Sequence, residues 1–599
     1  MTVQVEAVKS VDQRDPGDGR TWSARLPAIR EATAALLLYV LLALLLTIRA
    51  WDAPATHWIG SCCDQEQSMW FLRWIPYALA GGQSPFVTGQ LNAPDGVNLM
   101  WNASMPLVGT VMAPVTLAAG PLVAYNVAIV AAIATSGWAC FLALRRFTEG
   151  LLGPLVGGAV YAMSPYVASH AALHLNLVVV WAPPAFLILF HELVVRDRYS
   201  PRLVGVLLGV VAGLQLLTFE ELLATSAVSA AVLAGILAIV VHDRALIIAR
   251  GGRMARAVIP AAAAFLALGA WPLAVQFLGP QRVSGRLLDS ADFATDLLNL
   301  VLPTKYQQFA PAAATAISDH FSVLFHEATG YVGLPLLLVI ALGAGLRWSD
   351  LRLRVATIAA VAMFVLSLGP SLRVGGADTG IPMPWLPFSV LPLLEHALPG
   401  RLTLYMWLAI ALIVAVIIER LATIRRSRAV PGLAVLGLAL AFAAPATLTS
   451  STTSVPAFFA SWDRQGIGAD AIVLAAPYFT DGAGAAPMLW AAVAGDAPRL
   501  YEAYAYVPGA DGRPRYGPEP TRLSGIMEAI QDGDGSYLVA RGPIRAQALG
   551  DLANAGITHV IVGPMKRQAQ MVAFFTDLLG RPPVEVDGVQ LWRGPFGSG

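Results

Sequence analysis

From about residue 32 to 450 the chain alternates long apolar runs with short arginine-bearing stretches. A helix needs about 20 apolar residues to cross the roughly 30 Å hydrocarbon layer, and the first such run is 32–48. Further candidate spans fall at about 122–143, 151–167, 172–195, 203–219, 222–241, 258–277, 331–346, 355–371, 402–419 and 430–446. The segment 105–120 is apolar but cut by Pro106, Pro114 and Gly120-Pro121, so the pattern leaves a short span or a re-entrant segment open. If it does not cross, the arginines at 145–146, 196–202, 244–256, 347–354 and 420–428 share one side, and eleven spans result. The positive-inside rule then puts the N-terminus and those arginines in the cytoplasm, with a large first outer loop at 49–104 and the C-terminal region outside.

After about residue 450 the period changes. The runs Asp470-Ala471-Ile472-Val473-Leu474 and Thr558-His559-Val560-Ile561-Val562 predict short buried strands, and 584–592 predicts a hairpin about Asp587-Gly588. A helical pattern at 544–555 lies between them, so the expected organisation is a cytoplasmic segment 1–31, a helical membrane domain 32–450 and an extracytoplasmic α/β domain 451–599. Hydrophobic residues make up 56% of the 599-residue chain and charged ones 13%, which excludes an ordinary soluble protein. Mean hydropathy is +0.63. A net charge of +1 without any basic run gives no footprint for nucleic acid. Cys62, Cys63 and Cys140 make neither a disulfide framework nor a zinc spacing. Arginines at 20, 25 and 30 precede the first run and no small-residue cleavage pattern follows it, so that run reads as a retained span and not a signal peptide.

Ionisable residues near span ends mark function or anchoring, because a charge at the bilayer centre costs at least a few kcal/mol. On the eleven-span arrangement the unusual ones gather outside. Asp64 and Glu66 follow the first span and precede Met69, Trp70, Phe71 and Trp74, which recur at helical spacing and suit the headgroup layer. His170 and His174 are four apart, as on one helix face, and fit either a metal pair or hydrogen-bonded interface histidines. Glu220 and Glu221 fall at a tight turn between two runs. Arg282, Arg286 and Lys305 in the loop 278–330 are candidate phosphate clamps, since arginine offers a bidentate fork and lysine a point charge. His326-Glu327 and Glu395-His396, the latter followed by Arg401, each open a span from outside and suit cavity walls. Tyr501, Tyr504, Tyr506 and Trp490 fit sugar stacking or burial under an alternating strand equally well.

This plan resembles the GT-C superfamily of polyprenyl-phosphate-sugar-dependent glycosyltransferases, which includes protein mannosyltransferases and mycobacterial arabinofuranosyl- and mannosyltransferases. The motifs that carry the likeness are the acid-x-acid Asp64-Gln65-Glu66 in the first outer loop and the downstream Gly81-Gly82-Gln83-Ser84-Pro85-Phe86. The resemblance implies an inverting transfer from a polyprenyl-phosphate-sugar to a glycan, lipid or protein acceptor in the cell envelope. It implies Asp64 as base, and Glu66 either orienting the acceptor or joining Asp64 and Glu220 or Glu221 around a divalent cation such as Mg2+ or Mn2+. His170, His174, Glu220, Glu221, Arg282, Arg286, Lys305, His326, Glu327 and Arg401 are the expected substrate-binding set. Two other readings fit the architecture: a transporter or flippase of lipid-linked saccharide, which would favour internal repeats and broken helices near the midplane, and a non-catalytic envelope-assembly protein.

Overall fold

The computed structural model describes residues 22–61, 64–241, 243–321, 325–452, 454–479, 484–495, 498–533, 542–594 and 596. Cys62 and Cys63 lie outside them. Seven helices among the described residues are long and apolar enough to cross a membrane, with shorter apolar helices at Leu152–Ala162, Pro201–Leu216 and Leu334–Leu346. Leu41, Ile239, Ile259 and Leu342 point outward, exposed, as lipid-facing positions do. The helix Pro106–Leu144 is interrupted at Gly120, whose φ of 86° suits glycine, and Pro121 follows at once. The proline-cut segment 105–120 is therefore helical and joins the next span through a kink.

Three elements differ from their expected form. The expected span 258–277 begins earlier, at the arginines 244–256. They belong to one helix, Arg244–Leu278, which the Asp243 side chain caps by accepting from Leu246 N at 3.0 Å; arginine is a good helix former, so positive charge there does not break the helix. Glu220 and Glu221 lie in the first turn of the helix Glu220–Val241 instead of in a turn, where their charge complements the helix dipole. The expected span 172–195 is broken into Leu175–Val178, Ala182–His191 and a π turn at Glu192–Arg196.

Beyond residue 450 a five-stranded sheet forms from β1 (Ile472–Ala476), β2 (Arg499–Leu500), β3 (Ile557–Val562), β4 (Val584–Val586) and β5 (Val589–Arg593), in the order β4-β5-β3-β1-β2. β1 is fully buried and runs parallel to β3, as a continuous apolar run predicts. Asp587 and Gly588, with φ of 47° and 86°, make the two-residue turn between β4 and β5. The helix Pro543–Asn554 packs alongside β3.

This α/β unit sits on the first loop. The strand His57–Ile59 pairs antiparallel with Ser450–Thr452. Ala93 N donates to Leu500 O at 2.9 Å, Tyr506 N to Asn102 Oδ1 at 2.7 Å, and Arg73 Nη2 to Gly495 O at 2.9 Å. Residues hundreds of positions apart are thus fixed against one end of the helix bundle.

Candidate active site

Asp64 opens the helix Asp64–Ala80, which carries Trp70, Phe71 and Trp74 on its buried side. Its neighbour Gln65 donates to Ala172 O at 2.7 Å, and a Cβ on Gly60 would meet that same carbonyl at 2.1 Å. Only glycine permits this approach, which brings the first loop against the segment bearing His170 and His174.

The carboxylate of Asp64 is held from two sides. Tyr504 donates its hydroxyl to Oδ1 at 2.9 Å, and His174 Nε2 lies 3.1 Å from Oδ2. Asp64 and His174 keep 20% and 12% of their side-chain surface exposed, so this end of the cluster remains open. Burial raises the Asp64 carboxyl, but His174 and the Tyr504 hydroxyl outweigh it and hold the group below its ordinary value.

Behind His174 the cluster closes. His170 Nδ1 is 3.3 Å from His174 Nδ1, and His170 Nε2 is 3.8 Å from Glu327 Oε2. Glu327 accepts from Arg401 Nη2 at 2.7 Å, and the same guanidinium pairs through Nη1 with Glu221. Glu221 also accepts from Leu398 N at 2.8 Å. Burial raises Glu327, but Arg401 and His170 bring it well below the carboxylate range. His326, pushed down to about 3 by burial, packs its ring 4.6 Å from that of His174. Asp64, His170, His174, Glu221, His326, Glu327 and Arg401, drawn from five stretches of sequence, therefore form one polar cluster.

The two histidines do not share a helix face. The helix Pro165–Ala171 ends after His170, and His174 adopts φ −112°, ψ 89° as the residue before the next helical turn. Their rings meet because the chain turns. Glu66 is also separated from Asp64, since residues two apart on a helix point to different sides. Burial pushes Glu66 up to about 7, and its Oε2 is buried with no hydrogen bond among the described residues. Glu221 is committed to Arg401. Asp64, Glu66 and Glu221 are accordingly not arranged as one ligand set. The group whose ligand atoms do converge, all within 4.8 Å of one another, is His170, His174 and Glu327.

Other expected members lie apart. Glu220 accepts from Gln276 Nε2 at 3.1 Å. Arg282 is exposed, and Arg286 donates to Ser389 O at 3.0 Å while lying 3.7 Å from Glu395. Lys305 is exposed, its ammonium 6.0 Å from the Tyr306 ring. Trp490 is 1% exposed and packs against Phe459, which makes it core and not a sugar platform. Tyr504 is stacked on Phe479 at 4.4 Å and lies 4.9 Å from Tyr516. Its bond to Asp64 spans 440 positions, and no local signal announces it.

A family model described as a domain of unknown function, DUF6311, matches residues 35–444. No curated protein matches the chain. Among solved structures, the arabinofuranosyltransferase AftD from mycobacteria superposes with a TM-score of 0.54 at 15% identity, covering 94% of this chain and 40% of that one. The oligosaccharyltransferase AglB from Archaeoglobus fulgidus, in complex with an inhibitory peptide and a dolichol-phosphate, gives 0.46 at 12%, covering 92% and 71%. The chain thus spans less than half the length of AftD, and the likeness is one of fold, GT-C-like. With the family model covering more than half of its residues, the chain belongs to the DUF6311 family.

Proposed function

We propose that this protein is an inverting membrane glycosyltransferase that moves a sugar from a polyprenyl-phosphate donor to a glycan, lipid or protein acceptor at the extracytoplasmic face. The observation that carries the reading is Asp64, a partly exposed carboxylate with each oxygen oriented by a separate donor, at the polar end of an apolar bundle with a membrane-glycosyltransferase fold. The acceptor hydroxyl attacks the anomeric carbon as the bond to the lipid phosphate breaks, and Asp64 takes the hydroxyl proton. A carboxylate held below its usual range takes that proton late, once the acceptor oxygen has given up electron density to the new bond. His174 and Tyr504 leave Asp64 lone pairs for the acceptor while fixing its orientation.

Arg401 is committed to Glu221 and Glu327, so in this reading it supports the cluster and does not clamp phosphate. Arg352 and Arg420 lie at the end of the helix Thr403–Ala422 away from Arg401, which supports a cytoplasmic N-terminus and an outward-facing site. Purified Asp64→Asn tests the assignment. With a labelled polyprenyl-phosphate sugar, transfer is expected to fall by about 10²–10⁴-fold with expression and monodispersity retained. Turnover equal to wild type would remove Asp64 from the base role.

A further inference from the structure

The two histidines and Glu327 present a proton-counting problem. Asp64 is an acceptor, so its contact with His174 Nε2 at 3.1 Å places the proton of a neutral His174 on Nε2 and leaves Nδ1 as a bare lone pair. That lone pair faces His170 Nδ1 at 3.3 Å. If His170 donates from Nδ1, its own Nε2 is bare and confronts Glu327 Oε2 at 3.8 Å. If the proton sits on His170 Nε2 instead, two bare Nδ1 atoms face each other. Neither tautomer satisfies both contacts, and His170 Nε2 is buried without a hydrogen bond among the described residues. Something positive is missing. The carboxylates of Asp64, Glu221 and Glu327 formally face one guanidinium, Arg401, which leaves the cluster two negative charges in excess.

We propose that His170, His174 and Glu327 bind a first-row transition-metal dication of the Zn2+ class. The two imidazoles have the right spacing. Metal–imidazole bonds of about 2.0–2.1 Å in a tetrahedral site put neighbouring ligand atoms about 3.3 Å apart, the separation of the two Nδ1 atoms, and Glu327 completes a group whose ligand atoms all lie within 4.8 Å of one another. A dication offsets the excess charge. Paired imidazoles favour zinc, iron or nickel over magnesium and manganese, which prefer oxygen ligands. Asp64 becomes the outer carboxylate that fixes the His174 ring through Nε2, and Arg401 fixes Glu327 in the same way. The alternative is an extra proton on His174, which would then donate to both Asp64 and His170; a chain that takes up no metal would decide for it. The assignment deepens the reading of this site as catalytic, but metal content can be measured without any sugar.

The test uses the full chain without a polyhistidine tag, purified in detergent, stripped with chelator and reloaded with Zn2+ or Co2+. Elemental analysis is expected to show about one metal per chain, and Co2+ to give the visible absorption of a four-coordinate nitrogen and oxygen site. The double variant His170→Gln/His174→Gln should lose the metal, whereas Asp64→Asn should keep it with about 10–100-fold weaker affinity. Should the double variant aggregate, metal must protect the partly exposed His174 of the wild-type chain from diethyl pyrocarbonate, read by mass spectrometry. A wild-type chain that takes up no metal, a soluble double variant that binds as much as wild type, or a His174 that metal leaves unprotected would overturn the proposal. Metal uptake combined with full transfer by Asp64→Asn would overturn only the base assignment.

Discussion

Two charged networks cap opposite ends of the helix Thr403–Ala422, about 30 Å apart at 1.5 Å per residue. At one end Arg352 pairs with Asp350 at 2.8 Å and Glu419 at 3.1 Å, and Arg420 pairs with Asp350 at 2.6 Å. Arg352 also donates to Phe147 O, and Glu149 N donates to Glu419, so two cations meet two anions with their hydrogen bonds made. At the other end a single guanidinium, Arg401, serves Glu221 and Glu327, with Asp64, His170 and His174 beside them. The first network is balanced and partly exposed, as an anchor between helix ends should be. The second is buried, short of positive charge and left with an unsatisfied imidazole, features that structural ion pairs avoid and functional sites retain.

The contrast can be broken by charge removal. Arg401→Met leaves two carboxylates uncompensated in a buried setting and is expected to cost about 3–5 kcal/mol, read as a large loss of thermal stability in detergent. Arg420→Ala removes a cation that is 43% exposed and should cost about 1 kcal/mol or less. Equal losses would show that the two ends are energetically alike.

A pH series sharpens the same point. Burial raises Glu66 to about 7, whereas Asp350, though burial raises it, is brought below its ordinary range by hydrogen bonds from Arg352 and Arg420. Glu66 therefore contributes fully below the unfolded carboxyl value near 4.5, and that contribution is lost as pH rises through about 7. Glu66→Gln should raise the Tm relative to wild type at pH 8 and change it little at pH 5. The gain is about 1–3 kcal/mol. An equal shift at both pH values would assign the effect to packing.

The smallest expected effect concerns Tyr504. Tyr504→Phe removes one donor from Asp64 while keeping the ring stacked on Phe479, so kcat should fall about tenfold or less. The acid limb of the pH–rate profile should move upward, because Asp64 loses a bond that favours its charged form. A profile that stays in place would make Tyr504 structural only.

The apolar periodicity made the long apolar helices legible, though seven and not eleven among the described residues are long enough to cross, together with the strands at 472–476 and 557–562 and the hairpin at Asp587-Gly588, because each depends on local spacing. It misread Glu220-Glu221 as a turn, where charge resembles a loop but the first turn of a helix accommodates it, and it did not show that the arginines at 244–256 begin one capped helix that runs to Leu278. Among the polar residues, type alone singled out Asp64, His170, His174, Glu327 and Arg401. It could not separate them from Arg282 and Arg286, which carry equally suggestive chemistry, but Arg282 is exposed and Arg286 contacts Ser389 and Glu395 instead.

What the sequence determined by itself is the partition: which stretches are apolar enough for lipid, and which ionisable residues fall at their ends. Only the tertiary structure decided which of those residues meet. The contacts Tyr504–Asp64, His170–Glu327 and Arg401–Glu221 join segments 440, 157 and 180 positions apart, and pairing at that range depends on helix packing and on the α/β unit seated over the first loop, not on any local pattern.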